Sequence, residues 1–124
     1  MPITPLHFGI LAPINHFAKG RVSNVSFILS NLWMDFTAIL YWTFSLPLPE
    51  HTPDTHSFLG ALGTGMVISL LGISSRKPFI PELRWVYGAF LGAFSHILLD
   101  MLVHAEMVPM YPITGNPFYM GWME

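Results

Sequence analysis

Four apolar segments divide the chain, and only two charged side chains, Asp35 and Asp100, lie within them. The chain is 52% hydrophobic and 10% charged, whereas a soluble domain carries about 25% charged residues. Because so few charges cannot cover a water-facing surface, we expect an all-α integral membrane bundle of about four helices, the first one short. The segments are residues 5–18, 22–46, 55–75 and 85–105.

Length and composition predict a single membrane-embedded helical domain over residues 1–124. The last three segments have the length of about 20 residues that a bilayer requires. The first covers about 21 Å at 1.5 Å per residue, so we expect a short, tilted or partly inserted helix. A net charge of −2 without a basic patch argues against a nucleic-acid partner. Cysteine is absent, which excludes disulfides and thiolate metal sites.

Small residues are frequent in the third and fourth segments. Gly88 and Gly92 form a G-x-x-x-G motif in the fourth, a spacing that lets two helix backbones approach closely. We therefore expect these two segments to pack tightly against each other.

Charged residues and histidines divide between the two sides of the membrane. With four crossings the first and third connections share one side, and all Lys and Arg residues fall there, which makes that side cytoplasmic. We therefore expect the opposite connection and the C-terminal tail to face outward from the inner (cytoplasmic) membrane. The basic set is Lys19, Arg21, Arg76, Lys77 and Arg84; the outward set is Glu50, His51, Asp54, His56, His104 and Glu106, joined by His7 if the first segment crosses.

One stripe of the last segment carries His96, Asp100 and His104, each four residues from the next. At 100° per residue the three lie within about 80° of helix arc. An ionisable side chain inside a membrane helix costs about 2.5–3.5 kcal/mol at the centre, so it marks a site or has a partner. Asp35 is the other such carboxylate, in a segment without a basic residue. Two carboxylates so placed are either protonated or neutralised by a cation.

Imidazoles near this stripe complete a candidate metal site. His51 and His56 precede the third segment, and His7 lies in the first. Imidazole and carboxylate without thiolate suit a catalytic divalent metal that keeps a position for water, and the metal we expect is zinc. The predicted ligands are His51, His56, His96 and Asp100 first, then His7, Asp35 and His104.

Two stretches, "HTPDTHSF" (51–58) and "SHILLD" (95–100), resemble the membrane-bound metal-dependent hydrolases of the YdjM type. Those proteins have an H-x-x-x-T-H-S element followed by S-H-x-x-x-D, and His7 and Asp35 match an early His and an acidic motif on the second helix. The resemblance implies a metal site and hydrolysis. The family is distantly similar to zinc-dependent phospholipases C and related nucleases, which implies a phosphoester substrate. A second acid usually follows the first, where this chain has Phe36 and Thr37.

From these features we predict a metal-dependent hydrolase that acts on a membrane lipid or lipid-linked ester through a metal-activated water. Asp35 and Asp54 are the candidate general bases. Two non-catalytic alternatives stay open: a small metal carrier or metal clamp between helices, and a metal-free subunit whose acids are neutral and hydrogen-bonded. The missing second acid and the small size favour these alternatives. The oligomeric state is not indicated by the sequence.

Overall fold

The computed structural model describes residues 4–45, 54–74 and 82–121. Within these ranges the chain is all helical and contains no strand, which confirms the predicted fold class. The helices are α1 (Thr4–Gly9), α2 (Leu11–Ala18), α3 (Asn24–Met34), α4 (Phe36–Phe44), α5 (Phe58–Ser74) and α6 (Leu83–Val103). The first and second apolar segments are thus each divided into two helices, so six described helices take the place of the expected four.

Proline and an aspartate mark the two divisions. Pro13 has no N–H for the Gly9 carbonyl and its ring would clash there, so the helix begins again at Leu11. Between α3 and α4 there is neither glycine nor proline. Asp35 itself has φ −82° and ψ 5°, outside the helical range, and its carbonyl accepts the Ile39 N–H at 2.8 Å to begin α4.

Three helices, α3, α5 and α6, form the packed core, and α6 contacts both of the others. The fully apolar part of this core contains Met34, Ala61, Ala93, Ile97 and Met107. The Trp85 indole N–H donates to the Ile68 carbonyl at 2.7 Å and so joins α6 to α5. α6 has 21 residues and is the one described helix long and apolar enough to cross a membrane.

The glycines of α6 face α3, whereas the sequence led us to expect them against α5. A Cβ on Gly92 would lie 2.5 Å from the Phe27 carbonyl oxygen, and one on Gly88 would overlap Ser26. α5 does pack along α6, but it uses its own glycines: Gly65 receives the Phe90 ring, and Gly72 receives Trp85. The G-x-x-x-G spacing predicts a close approach but not which neighbour makes it.

The described basic residues lie at one end of this core, and the two carboxylates Asp35 and Asp100 lie at the other. At one end Ser23 N–H donates to the Arg84 carbonyl at 2.8 Å, close to Lys19 and Arg21 in sequence. Ser23 and Asp35 are separated by about 18 Å along α3, and Arg84 and Asp100 by about 24 Å along α6. We call the end that contains Ser23 and Arg84 the basic end, and the end that contains Asp35 and Asp100 the site end. Arg76 and Lys77 lie outside the described residues.

Candidate metal centre

Four buried polar side chains converge at the site end. Asp35 comes from the junction of α3 and α4, His56 from the turn before α5, and His96 and Asp100 from one face of α6. Their exposed fractions are 2%, 1%, 0% and 3%. One ligand atom of each lies within 4.8 Å of the corresponding atom of every other.

The spacing of these atoms fits a small metal ion. His96 Nε2 is 3.2 Å from Asp35 Oδ1 and 3.1 Å from Asp100 Oδ2. His56 Nε2 is 3.5 Å and 3.8 Å from the same two oxygens. Ligand bonds of 2.0–2.2 Å in a tetrahedron place neighbouring ligand atoms about 3.3–3.6 Å apart. The four residues can therefore hold a metal ion between them.

The Asn31 amide fixes the proton of His96. Asn31 is fully buried, and its Nδ2 donates to the carbonyls of Phe27 at 2.9 Å and Gly92 at 3.4 Å. Its Oδ1 therefore faces His96 Nδ1, 3.0 Å away, and must accept from an Nδ1–H. A neutral ring of this tautomer has its lone pair on Nε2, which lies 3.2 Å from Asp35 Oδ1 and 3.1 Å from Asp100 Oδ2. A lone pair aimed at two carboxylate oxygens is unfavourable unless a proton or a metal ion lies between them, so this arrangement is compatible with a metal ligand whose outer partner is Asn31.

Local hydrogen bonds place His56. Ser57 Oγ accepts the Gly60 N–H at 3.0 Å and caps the start of α5, and the Phe58 N–H donates to the Pro109 carbonyl at 2.9 Å. His56 Nδ1 lies 2.9 Å from the Thr55 hydroxyl. A partner on Nδ1 orients the ring so that Nε2 points at the acids.

His7 and His104 approach the other oxygen of Asp100. His7 Nε2 is 2.8 Å from Oδ1, and its ring stacks on that of His96 with centroids 4.2 Å apart and planes 13° apart. His104 Nε2 lies 4.0 Å from the same oxygen, and its Nδ1 is 3.5 Å from Glu106. The two carboxylate oxygens of Asp100 thus have different partners, with His56 and His96 on Oδ2. Direct metal ligation by His7 and His104 stays a prediction.

The remaining predicted site residues fall elsewhere. Asp54 is exposed and lines a groove beside the turn that carries His56. His51 lies outside the described residues. Asn31 was missed, although its position four residues before Asp35, in a helix without a charged residue, is the same spacing that identified the stripe on α6.

Comparison with known proteins gives one match. No curated protein and no solved structure matches the chain. A family model described as YdjM inner membrane protein matches residues 14–123, a range that includes all four residues of the buried cluster but begins after His7. The chain therefore belongs to the YdjM inner membrane protein family.

Proposed function

We propose that the protein is a metal-dependent hydrolase of the inner membrane that cleaves an ester or phosphoester of a lipid or lipid-linked substrate. The observation that carries this proposal is the convergence of two carboxylates and two imidazoles, with His96 Nε2 within 3.2 Å of an oxygen of each acid. A divalent ion offsets the two negative charges, which the low-dielectric interior would otherwise penalise. Donors of nitrogen and oxygen without thiolate favour zinc.

When bound, such an ion lowers the pKa of a coordinated water and so supplies a nucleophile at neutral pH. The chain's own residues have supporting roles. The ion would be bound by Asp35, His56, His96 and Asp100. The Asn31 amide orients the His96 imidazole, and the Thr55 hydroxyl orients that of His56. Asp54, at the same end of the core and exposed, is the candidate to accept a proton.

The location of the cluster favours a lipid substrate. Asp100 lies in the last turn of α6, so the cluster is at the depth where a spanning helix reaches the headgroups. By the positive-inside rule the basic end faces the cytoplasm, which directs the site end outward. A substrate that diffuses laterally in the bilayer reaches this depth without leaving the membrane.

Burial of the cluster favours a second candidate function, a structural metal clamp. All four side chains are at most 3% exposed, and closed four-ligand sites are typical of structural metals, whereas catalytic sites keep a position for water. A clamp would join α3, α5 and α6 without turnover.

Metal content and turnover together separate these functions. We would measure zinc, manganese and other metals by elemental mass spectrometry in detergent-purified wild type, Asp100→Asn and His56→Ala. His16→Ala is the matched control, since His16 lies on α2 towards the basic end. We expect about one equivalent of metal, as is usual for a single ligand set, lost in the two site variants only.

Hydrolysis of phospholipid vesicles by the metal-loaded wild type, lost in Asp100→Asn, is the result expected of the enzyme. Bound metal without any product over a panel of phospholipids and phosphoesters would instead establish the clamp. Wild-type protein that stays metal-free after reloading, with folded variants, would refute both functions and leave a metal-free subunit.

A further inference from the structure

We propose that a groove between α3 and α5 binds one acyl chain of a membrane lipid beside the metal cluster; this inference rests on the proposed function and names its substrate class. The groove has a volume of about 270 Å³, slightly below the range of pockets for drug-sized ligands, about 300–1,000 Å³. It therefore suits a single chain rather than a whole phospholipid. Its lining includes Trp33, Thr55, Ser57, Leu59, Gly63 and Tyr111.

Polarity changes along the groove as it does along a lipid. Its site end is lined by Asp54, Thr55 and Ser57, and further along α5 it is lined by Leu59, Gly60, Gly63 and the buried Thr64. Ser57 and Gly63 are separated by about 9 Å of helix rise. Leu59 is 57% exposed and Trp33 48% exposed, and in an inner membrane protein such surfaces contact hydrocarbon. A lipid bound here has its polar group at the site end and its chain along α5.

Both walls of the groove continue into the cluster. Thr55, in one wall, makes the 2.9 Å contact with His56 Nδ1. Trp33, in the other, precedes Asp35 by two positions on the same helix end. A chain in the groove would thus hold the ester of its lipid close to the residues that bind metal.

Gly63 leaves the groove open. A Cβ added at Gly63 would meet no atom within 4 Å, whereas one at Gly60 would overlap the Thr55 backbone and one at Gly65 would overlap Phe90. Glycine inside a helix is destabilising, and here helix packing does not require it. A side chain at position 63 would take up space in the groove.

A photoreactive phospholipid tests the groove directly. Wild type, Gly63→Leu and Leu70→Phe would be placed in phosphatidylethanolamine and phosphatidylglycerol vesicles that contain a phospholipid with a diazirine in its acyl chain. Adducts would be mapped by mass spectrometry. Leu70→Phe is the matched control, because Leu70 is 61% exposed on the same helix and does not line the groove. The leucine side chain at position 63 would occupy part of the groove and exclude the acyl chain. We therefore expect about a fivefold loss of adducts at Trp33 and Leu59 in Gly63→Leu, because selective binding of an acyl chain depends on packing.

Two results would overturn the inference: groove adducts in wild type no more frequent than elsewhere on the lipid-facing surface, or equal groove adducts in wild type and Gly63→Leu. Unchanged metal content in both variants shows that the fold is intact. If Gly63→Leu removes the groove adducts but the wild-type protein hydrolyses no lipid, acyl-chain binding in the groove is established and the hydrolase proposal is refuted. Hydrolysis with groove adducts unaffected by Gly63→Leu would refute the groove alone.

Discussion

Replacing Asn31 by leucine tests whether this residue sets the proton of His96. The wild-type amide is held by two carbonyls, and its oxygen accepts the His96 Nδ1–H at 3.0 Å. Leucine fills the buried position but offers no acceptor. His96 then either keeps a buried N–H without a partner or moves the proton to Nε2, where it can donate to Asp35 or Asp100.

Both responses weaken metal binding. A buried donor left without a partner costs about 1–3 kcal/mol, while a proton on Nε2 occupies the lone pair that would bind the ion. Loss of an outer partner of a metal-bound histidine lowers metal affinity about 10–100-fold, or about 1.4–2.7 kcal/mol. We expect Asn31→Leu to fall in this range.

The assay is competition with a metal-binding dye, using detergent-purified protein. Ser30→Ala is a buried control on the adjacent position of α3, and Asn24→Leu is an exposed control at the beginning of that helix. Both should bind metal within about twofold of wild type, since neither residue belongs to the cluster or contacts His96 through a described hydrogen bond. Wild-type affinity in Asn31→Leu, beside loss of binding in His96→Ala, would refute the assignment of the tautomer.

Three further outcomes follow from the packing and the cluster. Gly92→Ala should lower the free energy of unfolding by about 1–3 kcal/mol, because its Cβ would lie 2.5 Å from the Phe27 carbonyl, whereas Gly63→Ala should not; thermal unfolding in detergent compares them. His7→Phe keeps a ring on His96 but loses the 2.8 Å contact with Asp100, so dye competition should show about tenfold weaker metal binding. Chelation should lower the melting temperature of wild type, by the equivalent of about 2.7 kcal/mol for metal at 100 times its Kd, and leave that of Asp100→Asn unchanged.

Two predictions follow directly from the spacing and the composition of the sequence. A stripe of three ionisable residues at intervals of four must lie on one helix face, and two of its members, His96 and Asp100, lie in the cluster. The scarcity of charge predicts a membrane protein, in agreement with the family. These inferences depend only on helix periodicity and composition, which are local or global properties of the chain.

The sequence placed distant residues in one predicted site but could not provide the individual contacts between them. His7 Nε2 lies 2.8 Å from Asp100 Oδ1 although the two residues are 93 positions apart in the chain. The partner of the Gly88–Gly92 face depends on which neighbouring helix offers a shape that fits, here Ser26 and Phe27 of α3. The interruption at Asp35 has no breaker residue to announce it.

Asp35, at the interruption between α3 and α4, belongs to the cluster, and the close packing at Gly92 holds α6 against α3. Asn31 and Gly92 are joined by a hydrogen bond, so the distance between α3 and α6 determines whether the amide reaches His96. In a bilayer the hydrophobic effect does not drive helices together, and close packing of small residues takes its place.

Since the four cluster residues come from three separate parts of the chain, the cluster forms only when α3, the turn before α5, and α6 are packed. An ion bound there would stabilise that same packing, because its binding free energy is realised only in the folded state. Assembly of the helices and formation of the cluster are therefore one equilibrium. If the cluster binds metal, Gly92→Ala should weaken that binding although glycine offers no ligand.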